Sequence, residues 1–499
     1  MYLLLRSLNI SLFLDYLIIP SFLVGSFVIS HVSVGHVPWM TWYFFPLCMF
    51  LTLKTVRQFS ENQFQIDKNI YLKLVQLSIS HGVMLYEGGQ HIWIISGLAV
   101  VLFIFLYTWF DSKRLPIAIR LCFQYLFVSI SIVSLKLLPM FILIPSYISP
   151  HNYYFNLNQL LKSIFDYRFS EWEWDYFVGY GSLIMLILII PLSVYNKYKQ
   201  GNYHFPVLFK FNLRMIDWFM LFFGSIFLCL VIVKTNLLNN FLDHFATAGL
   251  IAVLFHFICK TLHRLENFQR TSLILALIFF ILSLWPYKDI FDYIPILKTQ
   301  GVRTRFLCIS IFFLLIFMGV FYSRWFEIEK CGKLRKAIIL LLICLNIFSL
   351  RLNANNYLHL WNNGPAKLKV FPLRSSLNYS PVILANDKKN IGQVKVLGAG
   401  KFQIQLKDQT AKTRALYLYF PELPCSLYCK SFTSSSGNIT CFDGSLCVSN
   451  IPADSECVMI EYNYYYEKIG IIIFLILLII NAIQFSILQK QNMKYLLKS

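Results

Sequence analysis

Charge is scarce in this chain: Asp, Glu, Lys and Arg together make up 14% of its 499 residues, and the long apolar runs hold almost none of them. That distribution excludes a soluble globular domain. No Walker loop, Rossmann glycine fingerprint, Ser-His-Asp order or haem motif occurs, so the sequence gives no ground for nucleotide, dinucleotide, triad-hydrolase or haem chemistry. No small-residue cleavage site leading into a soluble mature domain follows the apolar stretch 10–30, which therefore reads as a retained helix and not a signal peptide. The span centres are nearly uncharged and no internal repeat is visible, which counts against a transporter or flippase.

What is abundant is apolar and aromatic: 57% hydrophobic residues, 17% aromatic, and a mean hydropathy of +0.60. The net charge of +20 would fit a nucleic-acid binder if it were gathered in one domain. Instead the basic residues recur at every second loop, as Arg57/Lys68/Lys73, Lys113/Arg114/Arg120, Lys197/Lys199/Lys210/Arg214, Lys260/Arg264/Arg270 and Arg324/Lys330/Lys333/Arg335/Lys336. Short cytoplasmic loops retain Lys and Arg because translocating them is disfavoured, so the rhythm is a topology signal, with contacts to anionic lipids as its second use.

The reading is a polytopic α-helical membrane protein of about twelve spans, at 10–30, 38–56, 70–87, 92–110, 117–140, 178–196, 215–234, 245–262, 272–286, 305–323, 336–352 and 468–487. The weakest are 70–87 and 245–262, interrupted by His81 and His256, and the short 272–286. An even count places both termini in the cytoplasm, in keeping with Arg6 and with Lys490/Lys494/Lys498. Residues 1–352 form the multi-span domain, 353–467 an outer β-rich domain, and 468–499 a last helix with a basic tail.

The outer domain is read as a small β-sandwich or open sheet. Lys401–Lys407 alternates apolar and polar residues, Arg414–Phe420 and Glu456–Tyr462 are strand-like, and Asn, Gly and Pro clusters separate them. Cys425, Cys429, Cys441, Cys447 and Cys457 fall here, which points to one or two disulfides with one thiol left over; a zinc site at Cys425/Cys429 has no nearby His to complete it. The sequons at Asn378 and Asn438 are chance matches if the source is bacterial.

Two outer loops, 141–177 and 287–304, carry the remaining polar side chains. Gly301-Val302-Arg303-Thr304-Arg305-Phe306 resembles the R-x-P-x-R-F element of YfhO-like bacterial membrane proteins, relatives of the GT-C polyprenyl-phosphate-sugar glycosyltransferases. Glu173-Trp174-Asp175-Tyr176-Phe177-Val178-Gly179 is similar to that family's E-x-x-Y-V-G element, Lys136-Leu137-Leu138-Pro139 to its K-L-L-P, and Gly35-His36 to a G-H before a span. The β-rich region and final helix match its C-terminal layout. Thr304 stands where the family has Pro. The family's extra N-terminal spans and acidic first outer loop have no counterpart, since Ser30–Pro38 holds no acid. The resemblance implies sugar transfer from a polyprenyl-phosphate donor to a cell-envelope glycan or lipid at the outer face of the bacterial cytoplasmic membrane.

The residue types fit that chemistry. Transfer needs a carboxylate base for the acceptor hydroxyl and cations for the phosphate leaving group. Arg303, Arg305, Lys298 and Lys136 oppose the positive-inside rule and sit at the outer boundary, where a lipid-linked phosphate lies; arginine's planar fork suits phosphate. Headgroup anchoring is the plain alternative. Among the outer carboxylates Glu171, Glu173, Asp175, Asp289, Asp292 and Glu87, the pair Glu173 and Asp175 is preferred as catalytic. His31, His36 and His91 match no metal spacing, and Trp172, Trp174, Tyr153 and Tyr154 read as an interfacial aromatic belt. No metal or other cofactor is expected, and the expected partners are membrane lipids and the polyprenyl-linked sugar. A transporter and a catalytically silent envelope-assembly scaffold are the rival readings.

Overall fold

The computed structural model describes residues 1–33, 37–143, 157–168, 175–199, 265–284, 303–328, 333–363, 382–384, 392–398, 401–406, 414–419, 432–435, 438–442, 445–451, 457–462 and 465–496. The helices are α1 (Tyr2–Ser7), α2 (Leu12–Leu23), α3 (Ser26–Ser33), α4 (Phe45–Glu61), α5 (Lys68–Tyr86), α6 (Gln90–Ser112), α7 (Leu115–Leu143), α8 (Leu157–Phe165), α9 (Tyr180–Lys199), α10 (Asn267–Leu282), α11 (Phe306–Ile328), α12 (Lys333–Asn363) and α13 (Tyr465–Leu496), with 3₁₀ turns at Val37–Phe44 and Arg303–Arg305. Among the described residues six helical stretches are long and apolar enough to cross a membrane: Leu12–His31, Gln90–Ser112, Leu115–Leu137, Arg303–Ser323, Ala337–Tyr357 and Lys468–Gln489. The expected spans 215–234 and 245–262 lie outside the described residues.

Three expected spans differ in form. The stretch 10–30 is two helices, broken between Leu23 and Ser26. The stretch 178–196 begins as helix only at Tyr180, after an extended segment. The stretch 336–352 runs on to Asn363, eleven residues past its expected end, because Leu358–His359–Leu360–Trp361 continue an unbroken helix-compatible pattern with no Gly or Pro before Gly364.

The chain divides into two compact units: Met1–Ser129 with Ser149–Leu368 and Phe485–Ser499, and Ile130–Ile148 with Lys369–Gln484. In the first, α11 is central and packs on α10, α9, α2 and α6. Phe312 and Phe313 of α11 meet Phe22, Trp42, Phe45 and Phe103 at ring-centroid distances of 4.7–6.4 Å. Such edge-on and stacked pairs add to the burial of their large surfaces. Local signals set the helix starts: Asp67 accepts from the Ile70 amide at 2.8 Å to cap α5, and Glu266 with Gln269 forms a capping box on α10.

Several helix ends are tied together on one side. Arg6 pairs with Asp15 at 2.6 Å, Arg57 donates to the Ser7 carbonyl at 2.8 Å, the Ser11 amide to Ser323 Oγ at 2.7 Å, and Asn267 to Asp111 at 2.9 Å. Tyr107 of α6 faces both Arg57 and Glu266, which joins these contacts into one set. The starts of α2 and α10 and the ends of α4, α6 and α11 therefore share a side, as an alternating hairpin path requires.

The second unit holds eight strands, β1 (Val382–Leu384), β2 (Gly392–Gly398), β3 (Lys401–Leu406), β4 (Arg414–Tyr419), β5 (Phe432–Ser434), β6 (Asn438–Phe442), β7 (Ser445–Ile451) and β8 (Cys457–Tyr462). They form two antiparallel four-stranded sheets, ordered β1-β4-β7-β6 and β2-β3-β8-β5. The stretches read as strands, the first from its alternation and the other two from their β-rich composition, are β3, β4 and β8. Cys441 pairs with Leu446 and Cys447 with Thr440, so the register does not set these two cysteines opposite one another. Cys457 is a free thiol, and Cys425 and Cys429 lie outside the described residues.

Candidate functional site

One face of α12 carries Asn346, Ser349, Asn353 and Tyr357, spaced at i, i+3, i+7 and i+11, so successive turns present a polar group to the same side. All four are buried. Opposite them runs a chain segment that is not helical at its start, Asp175–Gly179. Tyr357 Oη donates to Asp175 Oδ2 at 2.5 Å, the Tyr180 amide donates to Ser349 Oγ at 3.0 Å, and the Ser182 amide donates to Asn346 Oδ1 at 3.1 Å. The eleven residues from Asn346 to Tyr357 rise about 16 Å in a helix. The seven from Asp175 to Ser182 would cover only about 10 Å as helix, and match the span because the first of them extend at about 3.3 Å each.

Buried backbone outside a helix must find partners, and this segment finds several on its own side chain and on neighbouring helices. The Phe177 amide donates to Asp175 Oδ1 at 3.1 Å, the Tyr176 amide to the Ser163 carbonyl at 3.1 Å, and the Phe177 carbonyl accepts from the Ser26 amide at 2.9 Å. That last bond sits at the break between α2 and α3. Gly25 permits the approach, because a Cβ there would lie 2.5 Å from the Ser21 carbonyl and 3.5 Å from that of Phe177. Gly179 has φ +91°, and a Cβ on it or on Gly181 would overlap Asn346 or the Leu342 carbonyl. The Asn346 amide also donates to Ser21 Oγ at 2.9 Å, and the Ser21 and Ser182 hydroxyls lie 2.7 Å apart.

Asp175 is fully buried at the end of this ladder, beside the last residue of the Ala337–Tyr357 stretch. Burial pushes its carboxyl up to about 7, against the opposing pull of hydrogen bonding with Tyr357, the Phe177 amide, Ser26 and Asn353. Ser26 Oγ donates to Asn353 Oδ1 at 2.9 Å, and Asn353 Nδ2 to the Tyr167 carbonyl at 3.0 Å. A cavity of about 30 Å³ adjoins the segment, walled by Tyr176, Phe177, Val178, Ser26, Gly25 and Phe312. It is the size of a water and not of a sugar.

Arg303 and Arg305 are buried, 2% and 7% exposed, in the turn that opens α11. They are not headgroup anchors in open solvent. The Arg305 guanidinium lies 4.6 Å from the centre of the Trp39 ring, whose π face attracts a cation. Trp39 packs on Phe27 at 5.3 Å and on His31 at 4.4 Å, and Phe27 stacks on Tyr176 at 5.2 Å. An aromatic series thus leads from Arg305 to the residue that follows Asp175. Both arginines also meet the positive end of a 23-residue helix, which favours an anion beside them.

Of the residues singled out by sequence, Asp175, Arg303 and Arg305 stand in the first unit. Lys136 is half-buried on the part of α7 that belongs to the second. Glu173 and Lys298 lie outside the described residues, as do Glu171, Asp289, Asp292, His36, Trp172 and Trp174. Glu87 is exposed at the end of α5, and His31 is buried, its Nδ1 2.8 Å from the Phe27 carbonyl. Among the described residues no three His, Cys, Asp or Glu side chains come together.

Sequence reasoning missed Tyr357, Asn353 and Asn346, although their helical spacing was legible. It also passed over a second polar network. His81 is buried between α5, α6 and α7, its Nε2 2.9 Å from the Trp93 carbonyl and its Nδ1 2.8 Å from Tyr125 Oη. The carbonyl only accepts, so Nε2 carries the proton and Tyr125 donates to Nδ1. No family model, curated protein or solved structure matches the chain.

Proposed function

We propose that this chain is a membrane protein of about twelve spans, with both termini in the cytoplasm, that transfers a sugar from a polyprenyl-phosphate carrier to a cell-envelope glycan or lipid at the outer face of a bacterial cytoplasmic membrane. Asp175, with Glu173, supplies the base; Arg303 and Arg305, with Lys298, hold the phosphate; the strands of 382–462 form the outer domain. One observation carries the reading: a buried carboxyl that titrates near neutrality and a buried arginine pair belong to helix ends that the Lys/Arg rhythm assigns to the same, outer side. A base is most effective with a pKa near the working pH, and preorganised guanidinium groups stabilise a phosphate as its charge develops.

The test is transfer of labelled sugar from polyprenyl phosphate in membranes containing wild type, Asp175→Asn, Glu173→Gln or Arg303→Ala. Wild type transfers, and the variants fall by about 10²-fold or more. Equal, non-zero transfer by all four removes the site assignment, and no transfer by wild type removes the reaction.

The break between α2 and α3 beside the extended Asp175–Gly179 favours a second reading, a transporter or flippase, because discontinuous helices are how such proteins build sites within the bilayer. Substrate flux in proteoliposomes without sugar transfer would select it.

A further inference from the structure

The segment Asp175–Gly179 is held by side chains and not by a helix of its own. Its anchor is a carboxyl with no exposed surface, and among the described residues the groups that touch that carboxyl are neutral: Tyr357, Ser26, Asn353 and the Phe177 amide. The other titratable groups near it on the packed elements are Tyr176 beside it, His31 on α3, Tyr180 on α9, Asp166, Tyr167 and Arg168 after α8, the exposed Lys162 on α8 and the exposed Arg351 on α12, which also carries His359. Asp166 and Arg168 are exposed, and none of these sets the charge state of Asp175. A negative charge placed there loses its hydration with no cation among the described residues in return. The segment is also one wall of the water-sized cavity, so its position decides whether anything larger enters.

We infer that Asp175 is a proton-binding site whose occupancy keeps the extended segment Asp175–Gly179 docked on α12: protonated, the segment stays seated; ionised, it releases and opens the cavity beside the α2–α3 break. The device uses the carboxyl that the proposed reaction assigns as a base, but its exchange signature stands whether or not that reaction occurs. Its sign follows from linkage. Released, the carboxyl returns toward its ordinary 3.8, and docked it titrates at about 7. Between those values release gives up one proton, so the opening constant rises about tenfold per pH unit and levels off above about 7.

Hydrogen exchange of the full chain in lipid nanodiscs from pH 5 to 9, corrected for intrinsic rates, reads this directly in peptides covering 175–183. Wild type is expected to lose protection about tenfold per unit between pH 5 and 7 and to stay level above, while a peptide from α6 does not change. Asp175→Asn is expected to show no slope. Tyr357→Phe removes a donor to the ionised form and moves the plateau to higher pH. A flat wild-type profile, or the same slope in Asp175→Asn, overturns the inference. Should that variant not fold, an unmoved plateau in Tyr357→Phe overturns it equally.

Discussion

Helices α11 and α12 follow one another in sequence, and both are apolar enough to cross a bilayer, yet they are packed by opposite means. Along its spanning stretch α11 is 89% buried and is held by phenylalanines and a glycine; α12 is 39% buried and is held by one polar stripe. Outside water, apolar surface gives helices little reason to associate, so close approach and hydrogen bonds must do it. α11 relies mainly on the first, with single hydrogen bonds from Ser310 and Tyr322 to neighbouring carbonyls, whereas α12 relies mainly on the second. The difference goes with where the chain departs from helix: α11 packs most extensively on the continuous α10, whereas α12 faces the broken α2–α3 and the extended run before α9.

The comparison breaks most sharply at the glycines. On the α12 side a Cβ at Gly181 overlaps the Leu342 carbonyl, a backbone atom that cannot turn away. Gly181→Val is expected to cost about 3 kcal/mol or more and to unseat the segment. Denaturant unfolding in detergent, with exchange at 175–183, measures both effects. Next in size is Asn346→Leu, which matches the residue's bulk but strands the Ser182 amide and takes a donor from Ser21. A loss of about 2–3 kcal/mol is expected from the same unfolding curves. A neutral result would mean that the stripe does not hold α9.

Much of this was legible in the sequence, and the limits have physical causes. Period and hydropathy mark α6, α7 and α11 because those spans are regular and uniformly apolar. They leave Asp175–Phe177 in the loop before the span but cannot show that Val178 and Gly179 continue it, since an apolar pair reads the same whether extended or helical, and only the distance along α12 forces extension. Arg303 and Arg305 stand out by opposing the charge rule, but burial against Trp39 depends on a residue 266 positions away in the chain. Asn346 was overlooked because a polar residue in a span looks like a weak span until its partner segment is placed opposite, and Asn353 because it lies past the span's expected end at 352. Alternation found β3 and strand-like composition found β4 and β8, while the pairing of β7 with β4, across two intervening strands, is set by register that no local pattern carries.

The smallest effect sharpens the comparison from the α11 side. Gly319 also sits at a close approach: a Cβ there would meet Ile18 Cδ1 at 2.6 Å and Ile10 Cδ1 at 2.9 Å. Both are the far ends of flexible side chains, which turn aside where a carbonyl cannot. Alanine also recovers part of the helix propensity that glycine lacks, about 0.5–1 kcal/mol, which offsets the crowding. Gly319→Ala is therefore expected to cost no more than about 1 kcal/mol and to leave exchange at 175–183 unchanged. If it instead destabilises as much as Gly181→Val, then α11 is fitted as rigidly as α12, and the contrast between apolar and polar packing fails as an account of where this chain can move.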